Sequence, residues 1–556
     1  MQIFAKILKN LIFIMNPNQL LSRNQIFFLF VGFVLVYFVG LFIPLMENDS
    51  AQHATMAMRM ANSGNFLEIY KGDNPYLDKP HLHFWLAALS MKIFGISHIA
   101  YRIPAVLCLF LAAFSVKKIA DLLYKNENLS YTASLIFLAS QTIILSAHDV
   151  RTDAVLTGFI ALSVWQFLAF IKTQKISNVI LAGFFTALAF SSKGLMAIVI
   201  IGFSVFSYLL YSREWLKFFN LKIIFAALSF GVGILPILYA YYHQFGNEGV
   251  EFILFNQSVN RLQAKGFEQN SPDYSFFFHT LLWAFLPFSI AFYTGVFERT
   301  KNLIKVRFQK VEGVEFLTLG GFWLVMLVFS FSKFKLPHYL NGLIPILSVF
   351  TASYIFEIFE KNQWKKARVF WVIQLVVISV SLVGVLLLTY YFTGIHEVVL
   401  FVVSLFFVGT LLLYIFKKEN MVRRWVLVSL LFAITINIFL NSQFYPVLTQ
   451  YQGGLKMAQY FEKNQLSTQN LFMPKDYEIW SFDFYTQQNT PRKEVSLLKK
   501  GDRVLVYEND LQNITQPYKI LHQETHFKIT KLSLKFLNPK TRNEKLKKLY
   551  LLEILN

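Results

Sequence analysis

Long apolar runs separated by short polar stretches fill the chain up to about residue 441. A helix needs roughly 20 mostly apolar residues to cross a bilayer core. On that criterion the pattern predicts about thirteen membrane spans, near 26–45, 98–116, 130–147, 153–172, 176–192, 194–211, 221–241, 276–296, 314–332, 338–357, 368–390, 397–416 and 424–441. Two intervening segments, 46–97 and 242–275, are too long for plain connectors and have the length of functional loops. Within the first, His81–Phe94 carries Phe84, Trp85, Leu86, Leu89 and Phe94 and reads as a helix lying at the membrane interface. After residue 442 the period changes: Arg503–Tyr507 and Lys548–Leu552 read as strands and Gly454–Lys463 as a helix. The expected architecture is an all-α polytopic membrane domain over 1–441, with juxtamembrane helices, followed by a small α/β domain over 442–556.

Composition sharpens this picture. Only 15% of the 556 residues are charged and 55% are hydrophobic, which excludes a soluble multidomain protein of this length. The net charge of +20 would suit a nucleic-acid partner. The placement of the basic residues argues against one, because most sit in short loops between spans. Lys6, Lys9 and Arg23 precede the first span. Alternate loops then carry Lys117, Lys118 and Lys125; Lys172 and Lys175; Arg213 and Lys217; Arg299 to Lys310; Lys361 to Arg368; and Lys417 to Arg424. This alternation predicts a cytoplasmic N-terminus and places both long loops and the C-terminal domain on the opposite, periplasmic side of a bacterial inner membrane. Cys108 is the only cysteine and lies in an apolar run, so disulfides and cysteine-built metal sites are excluded. The N-terminal region has no small-residue cleavage site, so Ile26–Pro44 is expected to be a retained span.

Against that background, four groups of ionisable residues stand out at span ends facing the side opposite the basic loops. Such residues are costly near a bilayer and point to function. Asp49, in Glu47-Asn-Asp49, has the chemistry of a general base toward an acceptor hydroxyl; a helix cap is the competing role. Asp78-Lys79, bracketed by Pro75 and Pro80, suits a phosphate site. There Lys79 supplies a compact positive charge and Asp78 a ligand for a divalent cation, against the alternative of a surface ion pair. His148-Asp149-Val-Arg151-Thr-Asp153 opens a span, with Asp153 as a second metal carboxylate, an N-cap, or both. Lys193-Gly194, Arg261 and Lys333-Phe-Lys335-Leu-Pro337-His338-Tyr339 add positive charge to the same side, where lipid phosphate is the natural partner. No glycine-rich nucleotide cradle is present, so the expected donor is lipid-linked.

In order and spacing these motifs resemble the C-type (GT-C) glycosyltransferases, specifically the bacterial aminoarabinose lipid A transferases and protein mannosyltransferases. The resemblance runs over roughly 26–345. Its landmarks are Asp49, Ser63-Gly64, Pro75-Tyr76, Asp78-Lys79-Pro80, Trp85, Phe94-Gly95, Tyr101-Arg102-Ile-Pro104, Arg151-Thr-Asp153, Lys193-Gly194 and Lys335-Leu-Pro337-His-Tyr339. It implies transfer of a sugar from a polyprenyl (undecaprenyl) phosphate carrier to a lipid, protein or glycan acceptor. It also implies Asp49 as the base or acceptor-orienting group, Asp78 and Asp153 as ligands of a divalent ion (zinc, magnesium or manganese), and Lys79, Arg261 and Tyr339 on the carrier phosphate. The chain departs from the family pattern at Ser50 and Gln52-His53, where an acidic residue and Arg-Tyr are usual, and at Ser258, where a histidine is usual. His53 or His148 are the candidates to compensate.

Two other functions fit a polytopic chain. A transporter or flippase would place its polar groups near the bilayer midplane on interrupted helices, with internal repeats. Here they crowd one membrane face and no repeat is evident. A structural assembly protein would leave the paired carboxylates and Lys79 without a task.

Overall fold

A computed structural model describes residues 19–263, 272–311, 314–393 and 420–555. Among these, nine helices are long and apolar enough to cross a membrane, or ten if the pair Glu127–Ala139 and Gln141–His148, bent by 55°, counts as one span. The protein is a multi-pass membrane protein. Thr152–Thr173 and Pro337–Glu360 form the centre of the bundle, with 83% and 94% of their apolar windows buried, whereas Ile223–Asn260 and Trp364–Phe392 have only 17% buried and face outward. Where Thr152–Thr173 crosses His98–Tyr124, a Cβ at Gly158 would lie 2.7 Å from the Cys108 carbonyl oxygen. A small residue there lets the two backbones approach.

Not all of the about thirteen expected spans form single helices of spanning length among the described residues. The 276–296 segment breaks at Pro287 into Phe276–Ala284 and Ser289–Lys305, as a residue without an N–H and with a fixed φ tends to impose. The 314–332 segment forms Leu317–Phe331, 15 residues, or about 22 Å at the helical rise and short of the bilayer core. The expected span at 397–416 lies outside the described residues.

The first long loop folds as a helix Asp49–Ser63, a short hairpin of Tyr70–Lys71 with Asn74–Pro75, and a helix Leu82–Phe94. The chain between the first span and that loop is held by Arg102, which is fully buried. Its Nε donates to the His148 carbonyl at 2.8 Å, Nη1 to the carbonyls of Leu41 (2.9 Å) and Ile43, and Nη2 to that of Pro44 at 3.3 Å. One guanidinium thus satisfies four backbone acceptors at a buried or half-buried turn of the chain. Arg102→Met is expected to destabilise the protein by about 3 kcal/mol, because buried acceptors left unpaired cost roughly 1–3 kcal/mol each and only part of the set can relax. A lowered thermal unfolding midpoint in detergent checks this.

The helix Met421–Phe439 continues through Leu440–Phe444 into Tyr445–Thr449, so one element runs through the expected boundary at 442. Beyond it lies a five-stranded sheet in the order Arg492–Lys493, Leu471–Pro474, Arg503–Tyr507, Lys547–Ile554, Tyr518–His526, parallel in its first two pairings and antiparallel in the last two. Alternation along Lys547–Ile554 sends Leu549 and Leu551 to one face and Tyr550, Leu552 and Ile554 to the other, and all five are buried. On the first face Met457, Phe461 and Phe482, from the helices Gly453–Lys463 and Trp480–Tyr485, complete the core. Glu47 joins this domain to the membrane bundle. Its carboxylate accepts from the N–H of Trp480 at 2.6 Å and of Ser481 at 3.0 Å, and from the Ser481 hydroxyl.

Candidate active site

Residues 149–153 lead into the central helix Thr152–Thr173. Arg151 is extended and precedes the first turn, and Asp153 lies within that turn with its side chain buried. Asp153 Oδ1 accepts from Lys193 Nζ at 2.5 Å, and its Oδ2 lies 3.8 Å from His338 Nε2. Lys193 closes the helix Ile176–Lys193, where a cation is favoured by the carbonyl end of the helix dipole. The next residue, Gly194, has φ +67°, and a Cβ there would meet Gln257 Oε1 at 2.5 Å, so glycine permits both the turn and the close contact. The Lys193 ammonium also lies 4.4 Å from the centre of the Tyr339 ring.

Arg151 connects this buried pair to the surface. Its Nη1 donates to Asp49 Oδ2 at 3.2 Å and lies 3.4 Å from His338 Nδ1, and its Nη2 donates to Asp149 Oδ2 at 3.2 Å. Asn48, not Asp49, caps the helix Asp49–Ser63, which frees Asp49 from the capping role. Asp49, Arg151, His338, Asp153, Lys193 and Tyr339 therefore form one continuous string, brought together from five helices and loops.

Asp78 and Lys79 form an ion pair, and the Asp78 carbonyl accepts from Gln257 Nε2 at 2.5 Å. That bond ties the first long loop to the helix Gln257–Gln263. Arg261 lies on this helix, and its side chain falls outside the described residues. The expectation for His53 requires correction. It is buried, packed against His83 and Phe84 with ring centres at 5.8 and 5.2 Å. Burial first, then the charges of His83, Lys79 and Arg151, hold it well below the usual histidine range, so it is a neutral packing residue and not a phosphate-binding cation. His148 packs on Tyr445 at 4.6 Å. Lys335 is buried beside the Tyr274 ring at 5.6 Å and lines neither of the cavities described next.

Two cavities meet the ends of the string. A cavity of about 180 Å³ is walled by Leu195, Met196, Val199, Leu262, Phe277, Val328 and Phe329, and Lys193 and Tyr339 also line it. The other, about 800 Å³, opens between Asp49 and the C-terminal domain. The first suits an apolar chain with a charged head, and the second a polar molecule.

Residues 78–239 match the family model for dolichyl-phosphate-mannose-protein mannosyltransferases. The chain is 27% identical over 353 residues to undecaprenyl phosphate-alpha-4-amino-4-deoxy-L-arabinose arabinosyl transferase 1 of Proteus mirabilis, covering 62% of this chain and 61% of that protein. It is 24% identical over 383 residues to the corresponding transferase of Wigglesworthia glossinidia brevipalpis, covering 67% and 66%. The chain thus spans less than two thirds of the length of either relative. The crystal structure of ArnT from Cupriavidus metallidurans bound to undecaprenyl phosphate superimposes with a TM-score of 0.74 at 15% identity, covering 95% of this chain and 98% of that one. The fold is that of the C-type glycosyltransferases. The expected all-α membrane domain with a small C-terminal sheet agrees with this fold.

Within the C-type fold, the divalent ion implied by the resemblance meets a donor set that does not suit it. Asp153 is occupied by Lys193 and faced by His338, and Asp78 is occupied by Lys79. Among the described residues no three of His, Cys, Asp and Glu converge as a protein-held ion requires. In this arrangement the Lys193 ammonium sits where the resemblance would put an ion on Asp153. The sequence does not reveal that Gln257 ties the two long loops together or that Glu47, in the Glu47-Asn-Asp49 group, holds the C-terminal domain. Each is a single polar residue beside an apolar segment, and nothing local in the sequence distinguishes either from a solvated side chain.

Proposed function

We propose that this chain is a membrane glycosyltransferase that moves a sugar from a polyprenyl (undecaprenyl) phosphate to a lipid acceptor on the periplasmic side of a bacterial inner membrane, with its N-terminus cytoplasmic. The observation that carries the proposal is the charged string joining an apolar cavity to an open polar one. The carrier chain lies against Leu195, Met196 and Phe277, and its phosphate reaches Lys193 and Tyr339. The resemblance adds Lys79 and Arg261, of the first and second long loops, as further contacts to that phosphate. Asp49, at the edge of the larger cavity, faces the acceptor.

In the reaction the acceptor oxygen attacks the anomeric carbon as the bond from that carbon to the carrier phosphate breaks, and the bonding electrons leave with the phosphate. Cations preorganised around the departing phosphate supply the main stabilisation. The acceptor proton passes to Asp49, or, where the acceptor is itself an ionised phosphate, Asp49 only positions it. One displacement inverts the anomeric configuration. The relatives' names support an amino-arabinose-like donor, and the departures at Ser50, Gln52-His53 and Ser258 favour testing pentoses and hexoses together.

Mass spectrometry of envelope lipids from cells with and without the protein tests the proposal. The expected result is one pentose, hexose or amino-sugar increment on a lipid, with lipid A the first to inspect. Unchanged lipids, glycans and proteins would overturn it. Purified protein treated with EDTA is expected to retain full transfer, because Lys193 already neutralises Asp153. A loss reversed by zinc, magnesium or manganese would restore the metal to the mechanism.

A further inference from the structure

The larger cavity has a wall that the transfer chemistry does not use. Its floor is Asp49 and the adjoining first loop, and its far side is one end of the C-terminal sheet. Lys528 and Lys531 follow the strand Tyr518–His526, and Lys545 and Lys547 lead into Lys547–Ile554. The antiparallel register pairs His526 with Lys547, so the two lysine pairs are brought to the same end of the sheet, and all four line the cavity.

The carboxylates of the same wall are already engaged. Glu47 accepts from Trp480 and Ser481, Asp49 from Arg151, Glu478 from Lys71 at 2.5 Å, and Asp510 from the Tyr477 hydroxyl. None of the four lysines has a carboxylate within ion-pair distance among the described residues. Arg151 and Lys71 offset Asp49 and Glu478, whereas Glu47 and Asp510 are bonded by neutral donors, so the four lysines outnumber the two lining carboxylates that have no cationic partner among the described residues, around a space of about 800 Å³. That volume lies within the range of sites for compact ligands, roughly 300–1,000 Å³. Burial, then Lys547 and Lys528, push the neighbouring His526 down to about 4, in keeping with crowded cations at this end of the sheet. Solubilising surface lysines would not need to gather in one concavity beside Asp49.

We infer that Lys528, Lys531, Lys545 and Lys547 form the acceptor-recognition wall, binding phosphate groups on the headgroup of a glycolipid acceptor and presenting its reactive oxygen to Asp49. The C-terminal domain is then the specificity module of the enzyme. The inference rests on the proposed transfer function, and its experiment separates the two.

The full-length protein in nanodiscs is titrated with a phosphorylated diglucosamine glycolipid, with the same lipid after removal of its phosphates, and with undecaprenyl phosphate. The phosphorylated acceptor should bind at least about tenfold tighter than its dephosphorylated form, with the preference falling as salt rises. A variant combining K528Q, K531Q, K545Q and K547Q should abolish the preference and leave undecaprenyl phosphate binding unchanged, and the four Lys→Arg changes should retain it. All four side chains are exposed, so the unfolding midpoint of each variant should match the parent. Persistence of the preference in the glutamine variant overturns the inference. Equal competition by phosphatidylglycerol vesicles overturns it in favour of a general membrane-surface contact. Failure of the parent protein to bind undecaprenyl phosphate would instead remove the transfer reading beneath it.

Discussion

Asp49→Asn is expected to lower the rate of sugar transfer by about 10²- to 10⁴-fold, the range associated with loss of a positioned general base, with little change in stability. Both halves follow from the geometry. Asp49 is a partly exposed side chain at the first turn of its helix, and among the described residues its only ion pair is with Arg151 at 3.2 Å. A partly exposed pair contributes about 1 kcal/mol or less, so the thermal midpoint should stay close to that of the parent. The acceptor, however, must come to the larger cavity, and Asp49 is the carboxylate on its membrane side that faces the charged string. If the acceptor nucleophile is a hydroxyl, the loss should appear in kcat and kcat/KM together. If it is a phosphate, no proton has to be removed, and the same substitution should act mainly on KM. Steady-state kinetics with the two acceptor types separates these outcomes.

The membrane architecture was legible because its signal is long-range and redundant. A 20-residue apolar run flanked by basic loops has few structural alternatives, and twelve of the expected segments correspond to helices in the described residues. Motifs such as Arg151-Thr-Asp153 and Lys193-Gly194 were also legible, since ionisable groups at span ends are expensive to keep there. The pairings among them were not. Lys193 was expected on phosphate and Asp153 on a metal, whereas the fold brings their side chains to 2.5 Å. No local rule connects residues forty positions apart on neighbouring helices, and only packing decides which charges meet. The break at Pro287 and the four lysines of the C-terminal wall were not legible for related reasons. A single proline in an apolar run is compatible with a kinked span, and lysines near strand ends look like ordinary surface residues until the sheet register aligns them.

The Lys193–Asp153 pair supports the largest combined effect on stability and activity. Lys193→Met should destabilise the protein by about 3–5 kcal/mol, because it leaves the Asp153 carboxylate buried without its partner; the two side chains are only 1% and 3% exposed. Transfer should fall by about 10²- to 10³-fold as well, since a cation aimed at the leaving phosphate is lost from a water-poor site. The double variant Lys193→Met/Asp153→Asn separates these contributions. Removing both charges takes away the uncompensated carboxylate, so the unfolding midpoint should recover most of its loss, while transfer and undecaprenyl phosphate affinity should remain impaired. A purely structural pair would recover activity along with stability. If Asp153 instead served chiefly to hold a metal ion, Asp153→Asn alone would abolish transfer, and Lys193→Met, by freeing the carboxylate, would not. The ranking of the three variants in one transfer assay therefore assigns the positive charge at the centre of the site to the lysine or to an ion.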